Sequence, residues 1–268
     1  MIAEELTLLA TALLSCAAIS AVFKTRLGQS LQAWLPTLLT PIITLAFIFL
    51  VLRPLLYETY TAPTNLMAPT LIGEHWQGIC PECGRPNYCS PTDPRFSSAI
   101  PPLMICDGFH VTSAAENGKQ IHAGDRFLVA KFLSPRRWDL LVFLHPEDPS
   151  TLYVKRLIGL PGEEIRMRDG SVWVNGERQT PPDSARGIEY LSAPTNLRGQ
   201  DLWGSTTRPA LLGDDEYFVL NDFSAQPMDS RCWKQGAPGH NPYAVPESHI
   251  RGVVTHTYWP PRRWRIHR

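Results

Sequence analysis

Hydrophobic and polar positions divide this chain into two unlike parts. Leu6–Phe23 is an uncharged run of 18 residues and Leu31–Leu52 is a second uncharged run of 22. A helix needs about 20 apolar residues to cover about 30 Å of hydrocarbon. Both runs therefore predict transmembrane helices, with Pro36 and Pro41 as kinks that a membrane helix tolerates. Glu4 and Glu5 precede the first run, and Lys24 and Arg26 follow it. That is the reverse of the charge order of a cleaved signal peptide, so the run reads as an uncleaved helix. The connection between the runs carries Lys24 and Arg26 and no acid, which places it in the cytoplasm and the chain beyond Tyr57 on the other side. Arg53, on the opposite flank, weighs against that orientation.

Beyond Tyr57 the pattern changes to short apolar runs separated by Pro, Gly, Asp and Asn. Phe127-Leu-Val-Ala130, Leu140-Leu-Val-Phe143, Leu152-Tyr-Val154, Ser171-Val-Trp-Val174 and Tyr217-Phe-Val-Leu220 have the length and residue types of strands. Asp169-Gly170 and Asn175-Gly176 bracket one of them and signal tight turns. No long stretch repeats its apolar positions every 3.6 residues. The pattern predicts a membrane anchor over 1–57 and a mainly antiparallel β domain over 58–268. Residues 75–120 interrupt that domain as a Cys-rich insertion, and residues 180–212 read as a polar loop excursion.

Charge sharpens the division. The chain holds 25 basic and 25 acidic side chains, of which only Glu4, Glu5, Lys24, Arg26 and Arg53 lie within residues 1–57. Zero net charge argues against a dedicated nucleic-acid binder, which carries a strong basic excess.

Four blocks carry candidate chemistry. They are Ala62-Pro-Thr-Asn-Leu-Met-Ala-Pro-Thr-Leu71, Gly124-Asp-Arg-Phe-Leu-Val-Ala-Lys131, Tyr153-Val-Lys-Arg-Leu-Ile-Gly-Leu-Pro-Gly-Glu163, and Tyr217-Phe-Val-Leu-Asn-Asp222 continuing to Asp229-Ser-Arg231. Their order, their position after an apolar segment and the wording of the third block resemble the type I signal peptidases, membrane-bound serine–lysine endopeptidases. The resemblance runs from about Pro54 to Arg268, outside the Cys-rich stretch. It implies that Lys155 stands at the general-base position, held neutral by an apolar surround: burial lowers a lysine pKa, and a base near the working pH can take a proton from a hydroxyl. It also implies that Asp229 and Arg231 form a supporting ion pair, and that the peptidase fold needs no cofactor.

The nucleophile position departs from the family. There a serine precedes the Met of Pro-Ser-Gly-Ser-Met-x-Pro-Thr-Leu; here Leu66 takes its place. Leucine has no proton to lose and no lone pair, and removing the nucleophile of a comparable hydrolase costs on the order of 10⁶ in turnover. Thr64 falls on the earlier serine, an oxyanion position in some members, and is the substitute hydroxyl to consider. In the last block Asp222, Asp229 and Arg231 remain, but the serine that supports the lysine falls on Pro227. A slipped register would instead retain Ser224 as that hydroxyl.

Cys80-Pro-Glu-Cys83-Gly84 resembles half of a zinc ribbon. Cys89 and Cys106 are expected to complete four zinc ligands, with His75 and His110 as alternates. Disulfides compete if this part lies outside the cytoplasm, and free thiols are a third state. Ile100-Pro-Pro-Leu-Met-Ile105, in the same stretch, either rests on a bilayer or packs over the β core.

The expectations for function follow. The first is a multi-pass protein of the inner or plasma membrane with its β domain on the extracytoplasmic side. It binds signal-peptide segments of exported preproteins without cleaving them, or partners an active signal peptidase or the export machinery. The second is a working peptidase that uses Thr64 with Lys155. The third is a zinc-dependent membrane scaffold acting through the Cys-rich insertion.

Overall fold

The computed structural model describes residues 14–15, 17–24, 26–91, 103–113, 120–192, 201–226 and 228–268. Its internal contacts divide the chain into two units, Met1–Leu56 and Tyr57–Arg268. In the first, an α-helix runs over Leu27–Phe47 and continues as a π-helical segment over Ile48–Leu56. Two membrane-crossing helices are expected from the apolar runs. Among the described residues, no helix is long and apolar enough to cross a membrane. Gln29, Ser30, Thr40 and Thr44 dilute the apolar content of the α-helix, whose α-helical span ends at Phe47. Most of the first run, Leu6–Phe23, lies outside the described residues.

The second unit is mainly antiparallel β, as its short alternating runs predict. The largest sheet orders Tyr57–Thr61, Arg126–Ala130, Ile250–Trp259, Leu140–Leu144, Leu152–Gly159, Glu216–Leu220 and Val245–Pro246, with Arg265–Ile266 added beside Ile250–Trp259. Leu140–Leu144 and Glu216–Leu220 are buried almost throughout, which is why they read as unbroken apolar runs. Apolar side chains pack on this sheet in two groups. Ala62, Met67, Leu71, Phe127, Leu140 and Val142 form one; Leu141, Phe143, Leu157, Tyr217 and Val219 form the other.

A four-stranded sheet (Glu177–Arg178, Ser171–Val174, Glu164–Arg168, Ala210–Leu211) packs its Ile165, Met167 and Val172 with Ile158, Phe218 and Leu220 of the large one. Ile165 and Met167 are buried while Arg168 is exposed, the period of two expected of a half-buried strand. Both predicted turns are present. Asp169-Gly170 and Asn175-Gly176 take positive φ at both positions, the conformation that a two-residue hairpin of matching twist requires.

The same logic accounts for Lys155-Arg-Leu-Ile-Gly-Leu-Pro-Gly-Glu163. A Cβ on Gly159 would lie 2.6 Å from Leu212 and 2.8 Å from Phe218, so the backbone passes where no side chain fits. Gly162 takes φ +77. Glu163 closes the turn by accepting the Leu160 amide at 2.7 Å and pairing with both terminal nitrogens of Arg137, at 2.9 and 2.5 Å. Much of this string is turn and packing chemistry, serving to hold Lys155 and Arg156 in place.

The third sheet lies within the Cys-rich stretch and its border. It orders Val111–Ser113, Leu103–Cys106, Pro86–Cys89, His75–Ile79 and Ile121–His122. Met104 and Ile105 are buried, so the described end of the apolar string packs inward.

Candidate active site

The loop after Tyr57–Thr61 carries Thr64 and then a single 3₁₀ turn, Asn65–Met67, ahead of a cis Ala68-Pro69 bond. Asn65 holds the loop. Its Oδ1 accepts the Gly73 amide at 2.8 Å and its Nδ2 donates to the Glu74 carbonyl at 3.0 Å. Gly73 is required there, because a Cβ would sit 2.4 Å from the Thr64 carbonyl carbon. Asp125 continues the clamp, accepting the Ile72 amide at 2.9 Å and pairing with Arg263, whose Nη2 also donates to the Pro69 carbonyl at 3.0 Å.

Opposite the loop stands the strand Leu152–Gly159, paired with Leu140–Leu144 so that Lys155 lies across from Leu141 and Arg156 from Leu140. A cavity of about 440 Å³ separates loop and strand. Ala62, Thr64, Leu66, Met67, Phe127, Val142, Tyr153, Val154 and Lys155 line it, with Gln226 and Met228 from the last block and Ser90, just after the inserted strand Pro86–Cys89. The structure thus brings Thr64, Leu66 and Lys155 to one apolar cavity. Leu66 is almost fully buried, and its carbonyl accepts the Phe223 amide at 3.1 Å.

Lys155 is fully buried, and among the described residues its Nζ has no hydrogen-bond partner. It stands over the Tyr153 ring, 5.1 Å from the centroid. Burial pulls the Lys155 pKa down to about 8; the Asp229 carboxylate pulls it up, Arg231 down and Asp222 up, each less strongly than burial acts. An amine at that value is a competent proton acceptor near neutral pH. Its surroundings supply the apolar wall, but among the described residues no hydroxyl stands in hydrogen-bond contact with it.

Two buried ion pairs stand behind the amine. Arg156 Nε donates to Asp222 Oδ1 at 2.6 Å and Nη2 to Oδ2 at 2.5 Å, while Nη1 donates to the Trp138 carbonyl at 2.8 Å. Thr70 Oγ1 adds a 2.5 Å bond to Asp222, tying the Leu66 loop to this pair. Burial opposes the Arg156 charge, but the Asp222 carboxylate more than compensates and holds its pKa above the ordinary value. Arg231 and Asp229 are both fully buried and pair at 2.9 Å (Nε–Oδ1) and 2.6 Å (Nη2–Oδ2). Asp229 also accepts the Asn221 amide at 2.9 Å.

Ser224 does not reach the lysine. Its Oγ accepts the Leu191 amide at 2.9 Å and Arg231 Nη1 at 3.0 Å, so its hydroxyl serves the second ion pair. Pro227 lies outside the described residues. Asn65 and Arg156 are not singled out by the sequence motifs. Arg156 carried a signal, as a second cation beside Lys155 in a strand; Asn65 carried none beyond its place in the motif.

The four expected metal ligands are not brought together as a set. Cys80, Cys83 and Cys106 converge, with His110 as the fourth group, all four ligand atoms lying within 4.8 Å of one another. Cys89 is buried outside that group, its Sγ 3.7 Å from the Ser90 carbonyl.

Residues 103–259 match the family described as signal peptidase, peptidase S26. That span includes Lys155, Asp222, Asp229 and Arg231 and begins after the Leu66 loop. A signal peptidase I from Leptolyngbya laminosa is 32% identical over 155 residues, covering 53% of this chain and 64% of the relative. One from Bacillus amyloliquefaciens is 33% identical over 116 residues, covering 41% and 58%. This chain therefore spans less than two thirds of either relative's length. A solved signal peptidase I from Enterococcus faecalis V583 is 26% identical, with a TM-score of 0.33, covering 46% of this chain and 98% of that one.

Proposed function

The chain belongs to the peptidase S26 family of signal peptidases, and from that premise we propose that it receives signal-peptide segments of exported preproteins in the Leu66–Lys155 cavity without cleaving them. The observation that carries this reading is the pairing of a buried, pKa-lowered amine with a leucine at the position from which the family's serine attacks. Lys155 can accept a proton, but Leu66 has none to give, and Lys155 Nζ has no hydroxyl partner among the described residues. The apolar wall of Phe127, Val142 and Val154 suits small apolar side chains of an extended peptide. Such a protein holds preproteins or works beside an active peptidase.

The setting we propose is a membrane face, with residues 1–57 as the attachment. Ile42, Ile43, Phe47, Phe49 and Leu50 are exposed along the helical segment, and exposed apolar surface of that extent calls for a partner such as lipid.

A preprotein cleavage assay with the purified full chain tests the reading. The expected result is no product above background, together with photo-crosslinking of a signal-peptide probe to the cavity. Cleavage that disappears in Lys155→Ala overturns it. One observation favours a second reading: Thr64 lines the same cavity as Lys155 and is exposed. Loss of cleavage in both Thr64→Ala and Lys155→Ala would establish Thr64 as the attacking hydroxyl.

A further inference from the structure

We propose that Cys80, Cys83, Cys106 and His110 bind one structural zinc ion, which fastens the inserted sheet beneath the Leu66 loop. The ligands come from two turns. Cys80 and Cys83 lie in the connection between His75–Ile79 and Pro86–Cys89; Cys106 ends the strand Leu103–Cys106, and His110 stands just before Val111–Ser113. Pairing of Asn87 with Cys106 sets the two turns side by side.

The distances suit a tetrahedral ion. Zinc–thiolate bonds of about 2.3 Å imply sulfur–sulfur edges of about 3.8 Å. Cys83 Sγ and Cys106 Sγ are 3.6 Å apart, and Cys80 Sγ is 3.8 Å from His110 Nδ1. A disulfide needs about 2.05 Å between its sulfurs, so these thiols are spaced for a shared ion.

The backbone is built for thiolates. Gly84, one residue past Cys83, takes φ +71, and its amide donates to the Cys80 carbonyl at 2.9 Å, closing the first turn. In the second turn the Gly108 amide donates to Cys106 Sγ at 3.2 Å. Gly108 stands against the cluster: a Cβ there would lie 3.5 Å from both Cys106 Sγ and Cys83 Sγ. Glu82 Oε2 approaches His110 Nδ1 at 3.7 Å, too far for a hydrogen bond, and leaves that nitrogen available. Three soft thiolates and one imidazole in a closed, partly buried group select zinc over harder divalent ions.

The site has a structural reason to exist. A small sheet of short strands has little core of its own and gains stability from a metal. Ile105, one residue from Cys106, packs with Ala68 and Phe223. Ala68 follows the Leu66 turn, and Phe223 donates to the Leu66 carbonyl. The ion thus fixes the strand that supports the cavity's loop. This inference does not depend on whether the chain cleaves peptides.

Metal analysis of the purified full chain tests it. The expected result is one zinc per chain, retained in Glu82→Gln and in His110→Cys, which restores a four-ligand set, and lost in His110→Ala and Cys80→Ser. To separate loss of metal from loss of fold in those two variants, the folded unaltered chain is also stripped with a chelator. Its unfolding midpoint is expected to fall by about 10 °C and to return on adding zinc. A chain purified under reducing conditions with less than about one tenth of an equivalent of zinc, and no uptake on titration with zinc, overturns the proposal. So does a Cys83–Cys106 disulfide found by mass spectrometry in the chain isolated from its membrane.

Discussion

Lys155 and Arg156 are neighbours on one strand, both buried, yet they live in opposite circumstances. Arg156 meets a carboxylate with two matched hydrogen bonds, and the Arg231–Asp229 pair beyond it is equally complete. Lys155 faces an apolar cavity with no hydrogen-bond partner among the described residues. A charge in a low-dielectric interior must be paired or must shift toward neutrality. The ion pairs follow the first course and Lys155 the second. The comparison teaches that the supporting ion pairs are complete while, among the described residues, no hydroxyl is bonded to the amine they flank.

The largest effect is expected where a pair is broken. Asp222→Ala leaves Arg156 and Thr70 without their acceptor, and removing one partner of a buried ion pair costs about 3–5 kcal/mol. Urea unfolding of the purified chain is expected to show that loss. A change below about 1 kcal/mol would mean that Arg156 reaches water and that the contrast with Lys155 is not one of pairing.

Lys155→Met is expected to act in the opposite direction. With a folded pKa of about 8 against an ordinary value of 10.5, the buried amine costs about 3 kcal/mol at neutral pH. Removing it is therefore expected to stabilise the chain by about 2 kcal/mol after some loss of packing.

The sign of the pH dependence follows from the same shift. Between pH 8 and 10.5 the unfolded chain holds a proton that the folded chain has released, so the Lys155 contribution to stability rises with pH across that window. Below pH 8 both states are protonated and the penalty is at its full value. Stability curves of the unaltered chain and Lys155→Met are expected to converge as pH rises through the window. Parallel curves would show that the amine keeps its ordinary pKa.

Thr64→Ala is expected to have the smallest effect, within about 0.5 kcal/mol, because the side chain is exposed. A cost above about 1 kcal/mol would place its hydroxyl in a buried bond and sharpen its claim as a reactive group.

Much of the fold is legible in the chain because local rules carry it. The hairpins at Asp169-Gly170 and Asn175-Gly176 follow from positive-φ residues between alternating strands. The position of Lys155 follows from the string around it, whose glycines and Glu163 each have a local task. The helical segment is legible only as apolar sequence: the change from α to π at Ile48 follows no residue pattern that marks it.

What the sequence determined by itself was the β architecture, the family and the leucine in place of a serine directly before Met67. Tertiary structure alone decided which distant groups meet: Arg156 with Asp222 across 66 positions, Ser224 with Arg231 in place of Lys155, and His110 in place of Cys89 beside the three converging thiols. The reason is physical. Turns and strand alternation depend on a few adjacent residues, whereas an ion pair or a ligand cluster depends on strand register, and a shift of one residue turns every side chain to the opposite face.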